Sequence, residues 1–364
     1  MTLVANQRNI YTAVTVVIAV FFYSCNSTPV IKQLTGKAQG TTYTIKYTGD
    51  AVVSPSEIDS VLESMDAEMN TWRADSRISK INNFDRTDTV YSFEDESKIW
   101  SVLWDMTWEI NHHSNGAFDP TVMPLVDLWG FGLKNASNVD SARVDSVMEF
   151  VGFRTDLIDF GEVETDVSYL NRQIIKGDSR SRLDFNAIAQ GYTVDMLYDL
   201  LDEKGIENIL VELGGEVRCK GVNAEGVAWR IAVDKPIASS HVDREYQAII
   251  SVENASVCTS GNYRKFIEVN GIKRSHSIDP RTGYPVEHNL LSVTIKASNA
   301  AIADAYATAC MVLGPEEGRE FILDRIENAP QYNVGAFFIE STDSTESYKY
   351  WVSPGWEEMI TLLD

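Results

Sequence analysis

Cysteine is scarce in this chain. Four of its 364 residues are Cys, and beyond Cys25 only Cys219, Cys258 and Cys310 remain, an odd number without close spacing. That excludes a disulfide framework and a zinc pattern, and leaves the three small buried apolar roles. Positive charge is also short. Lys plus Arg total 31 against 53 Asp plus Glu, a net charge of −22. A surface so acidic argues against nucleic-acid binding. It also means that an anionic ligand would need help from backbone N–H groups or a metal. No long Pro/Gly/Ser linker and no repeat divides the sequence. With 44% hydrophobic and 23% charged residues there is enough apolar material for a real core, so one globular unit is expected.

A long hydrophobic run is missing as well. The one candidate, Ile10 to Tyr23, is too short for a comfortable membrane span and follows the cation Arg8, the form of a secretory signal. Ser24-Cys25 at its end resembles a bacterial lipoprotein processing site, although Phe22-Tyr23 departs from that motif. Residues 1–24 are therefore expected to be a signal peptide, Cys25 the lipidated residue, 26–35 a tether and 36–364 the functional domain. An uncleaved N-terminal anchor is the alternative. Either form exports the domain, where disulfides become possible.

Strand and helix signals intermix along that domain without a regular βαβ rhythm. Gly40 to Tyr47 reads as a strand. Ser54-Pro55-Ser56-Glu57 combines a Ser cap, Pro at the first helical position and Glu at the third, ahead of an apolar stripe of Ile58, Val61, Leu62, Met65 and Met69. A short helix opens at Asp75 or Ser76. Further helices are expected over Glu94 to His113, Val139 to Phe150, from Asp184-Phe185 to Lys204, from Ser298 or Asn299 to Leu313, and near Glu316 to Ile326. Strands are expected at Leu157 to Phe160, Gln173 to Lys176, Arg182 to Phe185, Ile209 to Leu213, Trp229 to Val233, Tyr246 to Val252, Lys273 to Ile278, Leu291 to Ala297, Val334 to Ile339 and Tyr348 to Val352. The class is α+β, one large domain of mixed, mostly antiparallel sheets packed with helices.

Several stretches carry chemistry. In Arg274 to Pro285 the strand-like alternation puts His276 and Ile278 on one face, and Asp279-Pro280-Arg281-Thr282-Gly283 forces a turn. His276 is then either a general base held still at a rim or a structural histidine at a strand end. Asp304 and Thr308 share one face of an Ala-rich helix. They suit a hard cation such as Mg²⁺, which keeps few protein ligands, or form a solvated face with Thr308 bonded back to the Asp304 carbonyl. Gly116 to Gly132 is long and irregular, as functional segments often are. Within it the Asp119 carboxylate would either accept hydrogen bonds from a ligand or cap a turn. Trp72 either covers the core or stacks on a flat ligand. Thr259 to Asn262 offers hydroxyl and N–H donors to an anion, a pattern shared with ordinary tight turns.

Taken in order, Gly40-Thr-Thr-Tyr43, Met69 to Ser76, Gly116 to Gly132, Asp184 to Asp195, Leu213-Gly-Gly-Glu216, Thr259-Ser-Gly-Asn-Tyr263, His276-Ser-Ile-Asp-Pro-Arg-Thr-Gly283 and Ala303-Asp-Ala-Tyr-Ala-Thr308 resemble the ApbE family of FAD:protein FMN transferases. The resemblance implies Mg²⁺-dependent transfer of the FMN half of FAD to a Thr or Ser hydroxyl of an exported acceptor flavoprotein, with AMP leaving. Some relatives instead hydrolyse FAD to FMN and AMP, and a non-catalytic flavin-binding lipoprotein is the reading from another class. It further implies Asp304, Thr308 and the Ala187 carbonyl as metal ligands, and His276 as the base for the acceptor hydroxyl. Gln39, Trp72, Ala117, Phe118, Asp119, Asp184, Gln190 and Ile278 would line FAD. Acceptors in the family include subunits of the sodium-pumping NADH:quinone oxidoreductase and of the Rnf complex. The implied location is the periplasmic side of the inner membrane, through the lipid on Cys25. Gln39 stands where the family usually has Met, Trp72 where Tyr is common, and Gln190 where Lys or Glu is common. These departures bear on FAD affinity and on the balance of transfer against hydrolysis.

Overall fold

An eight-stranded sheet organises the molecule, and its strands stand side by side in chain order: Lys32–Ala38, Thr41–Tyr47, Ile209–Leu213, Glu216–Lys220, Ala255–Gly261, Leu290–Ala297, Gly335–Ser341 and Tyr348–Val352. Every neighbouring pair is antiparallel. The computed structural model describes residues 30–132, 139–162, 171–236, 245–262, 266–269, 272–342 and 347–363. The expected signal peptide, Cys25 and the first part of the tether lie outside the described residues. Residues 32–35, expected in the tether, already belong to the first strand, because Lys32 pairs with Tyr47 and Leu34 with Ile45.

Most of the rest is inserted between sheet neighbours; Ile360–Leu362 follows the last strand and joins Trp229–Asp234 and Tyr246–Val252 in a separate three-stranded sheet. After Tyr47 come α1 (Pro55–Met69), α2 (Arg77–Asn82), α3 (Ile99–His113), α4 (Met123–Trp129), α5 (Ser141–Met148) and α6 (Asn186–Asp202), with a small sheet of Tyr91–Glu94, Ile158–Glu162 and Asn171–Lys176. Two short hairpins, Phe266–Val269 with Ile272–Ser275 and Ile278–Asp279 with Tyr284–Pro285, fill the gap between Gly261 and Leu290. Helix α7 (Ala300–Asn328) connects Ala297 to Gly335. The α+β class and the antiparallel pairing are as expected.

Local chemistry explains both the agreements and the departures. Ser54 and Glu57 form the full capping box at α1, and Ser76 caps α2. The helix expected from Glu94 begins only at Ile99, because Tyr91–Glu94 pairs with Asn171–Ile174. Asp95 then caps it by accepting Trp100 N at 3.2 Å and Ser101 N at 2.9 Å. Residues 182–185 form no strand: Leu183 N donates to Asn82 Oδ1 (2.7 Å) and Asp184 N to the Pro120 carbonyl (2.7 Å), so these groups take the bonds a strand neighbour would. Within the segment expected to be irregular, Pro120–Val122 forms a 3₁₀ turn leading into α4. The helices expected to end at Leu313 and to lie near Glu316 to Ile326 are the two parts of α7, which breaks at Gly314 (φ 80°) and ends at Asn328.

Helix α7 is buried on nearly every side from Ala300 to Val312, between α6 and the central sheet. Alanine is what permits so close an approach all round. The cysteines take the roles expected of them: Cys219, Cys258 and Cys310 are free and buried, and burial pushes the Cys219 thiol up to about 11. No helix among the described residues is long and apolar enough to cross a membrane.

One buried cation ties α2 to the small sheet. Lys176 is fully buried, and its Nζ donates to the carbonyls of Phe84 (2.9 Å), Ser179 (3.1 Å) and Ile81 (3.4 Å). Burial holds its pKa down at about 8. A depressed lysine means that the folded state binds fewer protons than the unfolded state between about pH 8 and 10.5, the ordinary value for lysine. Stability relative to a Lys176→Met variant is therefore expected to rise with pH across that window. Below it, the variant loses about 1–3 kcal/mol from the unpaired carbonyls. Denaturation midpoints of both proteins measured from pH 7 to 10.5 check this.

Candidate active site

A cavity of about 1020 Å³ opens between the helical insertions and one end of the central sheet. Its walls come from segments far apart in sequence, each fixed by local bonding. The first is the two-residue turn Gln39-Gly40 that joins the first two strands. Both residues have positive φ (49° and 75°), the signature of a type I′ hairpin. The Gln39 amide donates to Thr193 Oγ1 at 2.8 Å, and that hydroxyl donates to the Ala189 carbonyl at 2.7 Å, so the turn is tied to α6. Trp72 follows α1 in a turn closed by its N–H to Asn70 Oδ1 (2.9 Å), and is 67% exposed at the cavity rim.

The wall continues with Ala117, Phe118 and Asp119 after α3. Asn111 Nδ2 donates to the Phe118 carbonyl at 2.8 Å. Asp119 Oδ1 accepts Thr121 N (2.7 Å) and Thr121 Oγ1 (2.6 Å), and its Oδ2 accepts Phe153 N (3.0 Å). Of the two uses foreseen for this carboxylate, the turn cap is thus occupied. Asp184 faces the same cavity with Oδ1 accepting Asn186 N at 2.8 Å, and burial pushes its carboxyl above the usual range.

The polar floor is where α6 and α7 cross. Ala187 and Gln190 come from the first turns of α6, and Asp304 and Thr308 from α7. A Cβ on Gly191 would lie 2.3 Å from the Ala300 carbonyl oxygen and 2.8 Å from Asp304 Cβ, so only glycine lets the helices meet here. Gly191 N donates to Asp304 Oδ2 at 3.0 Å. In an ideal helix that N–H serves the Ala187 carbonyl, so Asp304 draws on the donor that would otherwise satisfy it. Thr308 Oγ1 lies 3.2 Å from Ser260 Oγ.

Electrostatics mark this floor as short of positive charge. Burial, with Glu216 next in weight and Asp195 also adding, pushes the Asp304 carboxyl well above the usual carboxylate range. Asp195 has its own cation in Arg218 (2.7 Å) and accepts Ala300 N and Ala301 N (2.8 Å each), capping α7. Among the described residues no cluster of three or more His, Cys, Asp or Glu could hold a metal. A carboxylate, a hydroxyl and a backbone carbonyl form an oxygen-only set instead. That set fits a hard divalent cation that keeps most of its water.

His276 and Ile278 close the opposite wall. The expected strand from Lys273 to Ile278 is broken: it stops at Ser275, His276 and Ser277 form a bend, and pairing resumes at Ile278. The bend turns the imidazole toward the cavity, with the Phe131 ring 6.4 Å away edge-on. Asp279 and Arg281 clasp each other across the following turn (2.9 Å).

Every residue singled out from the sequence for catalysis, flavin contact or metal binding therefore lines this one cavity; Cys25 lies outside the described residues. Two contributors carried no assigned role. Glu216, the carboxylate directly after the Gly214-Gly215 turn, is buried in the cavity wall; its place after two positive-φ glycines (68° and 116°) was the available signal. Asp195 acts through pairing that no sequence spacing reveals.

The comparisons with known proteins agree with this geometry. The family model described as "ApbE family" matches residues 39–330. The chain belongs to the ApbE family. The FAD:protein FMN transferase of Vibrio cholerae is 36% identical over 78% of this chain and 82% of its own length. That of Haemophilus influenzae is 31% identical over 91% and 92%. The solved structure of the flavin transferase ApbE from Vibrio cholerae superposes with a TM-score of 0.74 at 31% identity, covering 91% of this chain and 99% of that one. The sequential antiparallel sheet with its helical insertions is thus the ApbE fold.

Proposed function

We propose that the chain transfers the FMN moiety of FAD to a Thr or Ser hydroxyl of an exported acceptor protein. The observation that carries this reading is the convergence of His276, the Asp304–Thr308 face and the flavin-contact residues on one cavity. At about 1020 Å³ it lies at the upper end of the roughly 300–1,000 Å³ typical of ligand pockets, a size suited to a dinucleotide.

The acceptor oxygen attacks the phosphorus of the FMN half. A new P–O bond forms, the bond to the AMP phosphate breaks, and AMP leaves with the electron pair. Phosphoryl transfer leaves the protein little covalent work, so positioning and charge neutralisation dominate. His276 takes the proton of the attacking hydroxyl. Trp72 at the rim offers a flat face for stacking on a heterocycle, and Asp119 and Asp184 hold the wall through their caps. Asp304, Thr308 and the Ala187 carbonyl would hold Mg²⁺, which offsets the charge that develops on the phosphate oxygens. The N-terminal segment completes the reading: export, lipidation at Cys25 and attachment to the periplasmic face of the inner membrane.

The test mixes the full-length chain with FAD, Mg²⁺ and the threonine-bearing subunit of a sodium-pumping NADH:quinone oxidoreductase as acceptor. Fluorescent acceptor on a denaturing gel with stoichiometric AMP, both lost with chelator, is the expected result. AMP and FMN without labelled acceptor would instead mark hydrolysis of FAD by water. No AMP under any of these conditions would sink both enzymatic readings.

A further inference from the structure

The strand Ala255–Gly261 ends between the two halves of the cavity. One residue before its end, Ser260 touches Thr308 on the α7 side. One residue beyond it, Asn262 reaches the segment that carries His276. Asn262 Oδ1 accepts the hydroxyl of Ser275 at 2.7 Å and that of Ser277 at 2.9 Å, the two residues that flank His276. An amide carbonyl has two lone pairs, and both are used. Ser275 Oγ in turn accepts Ser277 N at 3.0 Å, and the Ser277 carbonyl accepts Val286 N at 3.0 Å. Asn262 N donates to the Leu291 carbonyl at 3.0 Å, so the clamp is anchored at the central sheet. The bend at His276 falls where strand pairing is interrupted, and these bonds replace the ladder there.

We infer that Asn262 is the positioning residue for His276: by holding both neighbouring serines through one oxygen, it fixes the height at which the imidazole meets the acceptor hydroxyl above the metal-binding face. This rests on His276 acting as the base, and the test separates the two statements. Asn262 is not among the residues that line the cavity and acts through the two serine hydroxyls of the bend.

Steady-state transfer by the full-length chain, with the acceptor used above, reads the effect. In Asn262→Ala, kcat is expected to fall about 10- to 100-fold, with KM for FAD changed by no more than about twofold, because misplacement of a reacting group penalises the chemical step. Asn262→Asp keeps the double acceptor and is expected to retain most of kcat. It also moves the acid limb of the pH–rate profile upward, since a nearby negative charge stabilises the imidazolium. The double variant Ser275→Ala/Ser277→Ala should lose as much as Asn262→Ala, and combining all three should add little, because one network is removed only once. Asn262→Ala with undiminished kcat beside an inactive His276→Ala overturns the inference. So does a loss accompanied by an equal fall in FAD affinity and thermal stability, which marks a merely structural role. Full transfer by His276→Ala overturns the base assignment itself.

Discussion

Replacing His276 by alanine is expected to lower FMN transfer by about 10²–10⁴-fold, the range a positioned general base contributes, while FAD affinity stays nearly unchanged. The imidazole lines the cavity without being part of the hydrophobic core, so its removal leaves no buried void. The bend that carries it is held by Asn262, Ser275 and Ser277. The fold should therefore survive, and a melting temperature within error of the parent is part of the expectation. A poorly nucleophilic protein alcohol gains most from a base, so transfer should suffer more than background release of AMP to water. Measuring labelled acceptor and free AMP in the same reaction separates the two. Equal loss of both, or loss of neither, would remove His276 from the role of base.

How much of this was legible beforehand follows from the range of the interactions. Local signals read correctly: Ser54 and Glu57 close a capping box three residues apart, Ser76 caps α2, and Asn299 caps α7. Asp304 and Thr308, four residues apart on α7, do share a face, and that face does line the cavity. Signals that depend on a distant partner did not read. Glu94 pairs with Asn171 in a strand, and nothing in the apolar period of Ile99 to Ile110 announces that the helix must wait for Asp95 to cap it. Residues 182–185 have strand-like alternation, yet extended backbone becomes a strand only if a neighbour offers a ladder, and here Asn82 and the Pro120 carbonyl take its place. Asn262 lies 13 and 15 residues from the serines it binds, beyond any period that a helix or strand imposes. The resemblance to a family supplied the gathering of these residues into one site; pattern and spacing alone had left His276, Asp119 and the Asp304 face each with two readings.

The Asp304 face carries the other large effect. In Asp304→Asn the side chain keeps its shape and can still accept from Gly191 N, so the crossing of α6 and α7 is preserved. What disappears is a negative charge that burial and Glu216 make unfavourable in the protein alone. Like charges in a site of low dielectric repel strongly, so the metal-free variant is expected to melt at the same temperature as the parent or higher. Activity should move the opposite way. The loss of one anionic ligand from an oxygen-only site weakens cation binding, and the forfeited charge stabilisation of about 3–5 kcal/mol corresponds to roughly 10²–10⁴-fold in AMP release. Two readouts of opposite sign distinguish this from damage to the fold, which would lower both. Thermal melts with and without Mg²⁺ provide the decisive comparison: the parent should gain stability with the cation by mass action, and Asp304→Asn should gain little. A variant that still responds to Mg²⁺ as the parent does, and releases AMP at the parent's rate, would place the cation elsewhere and leave Asp304 as a buried carboxylate whose cost the fold bears for another reason.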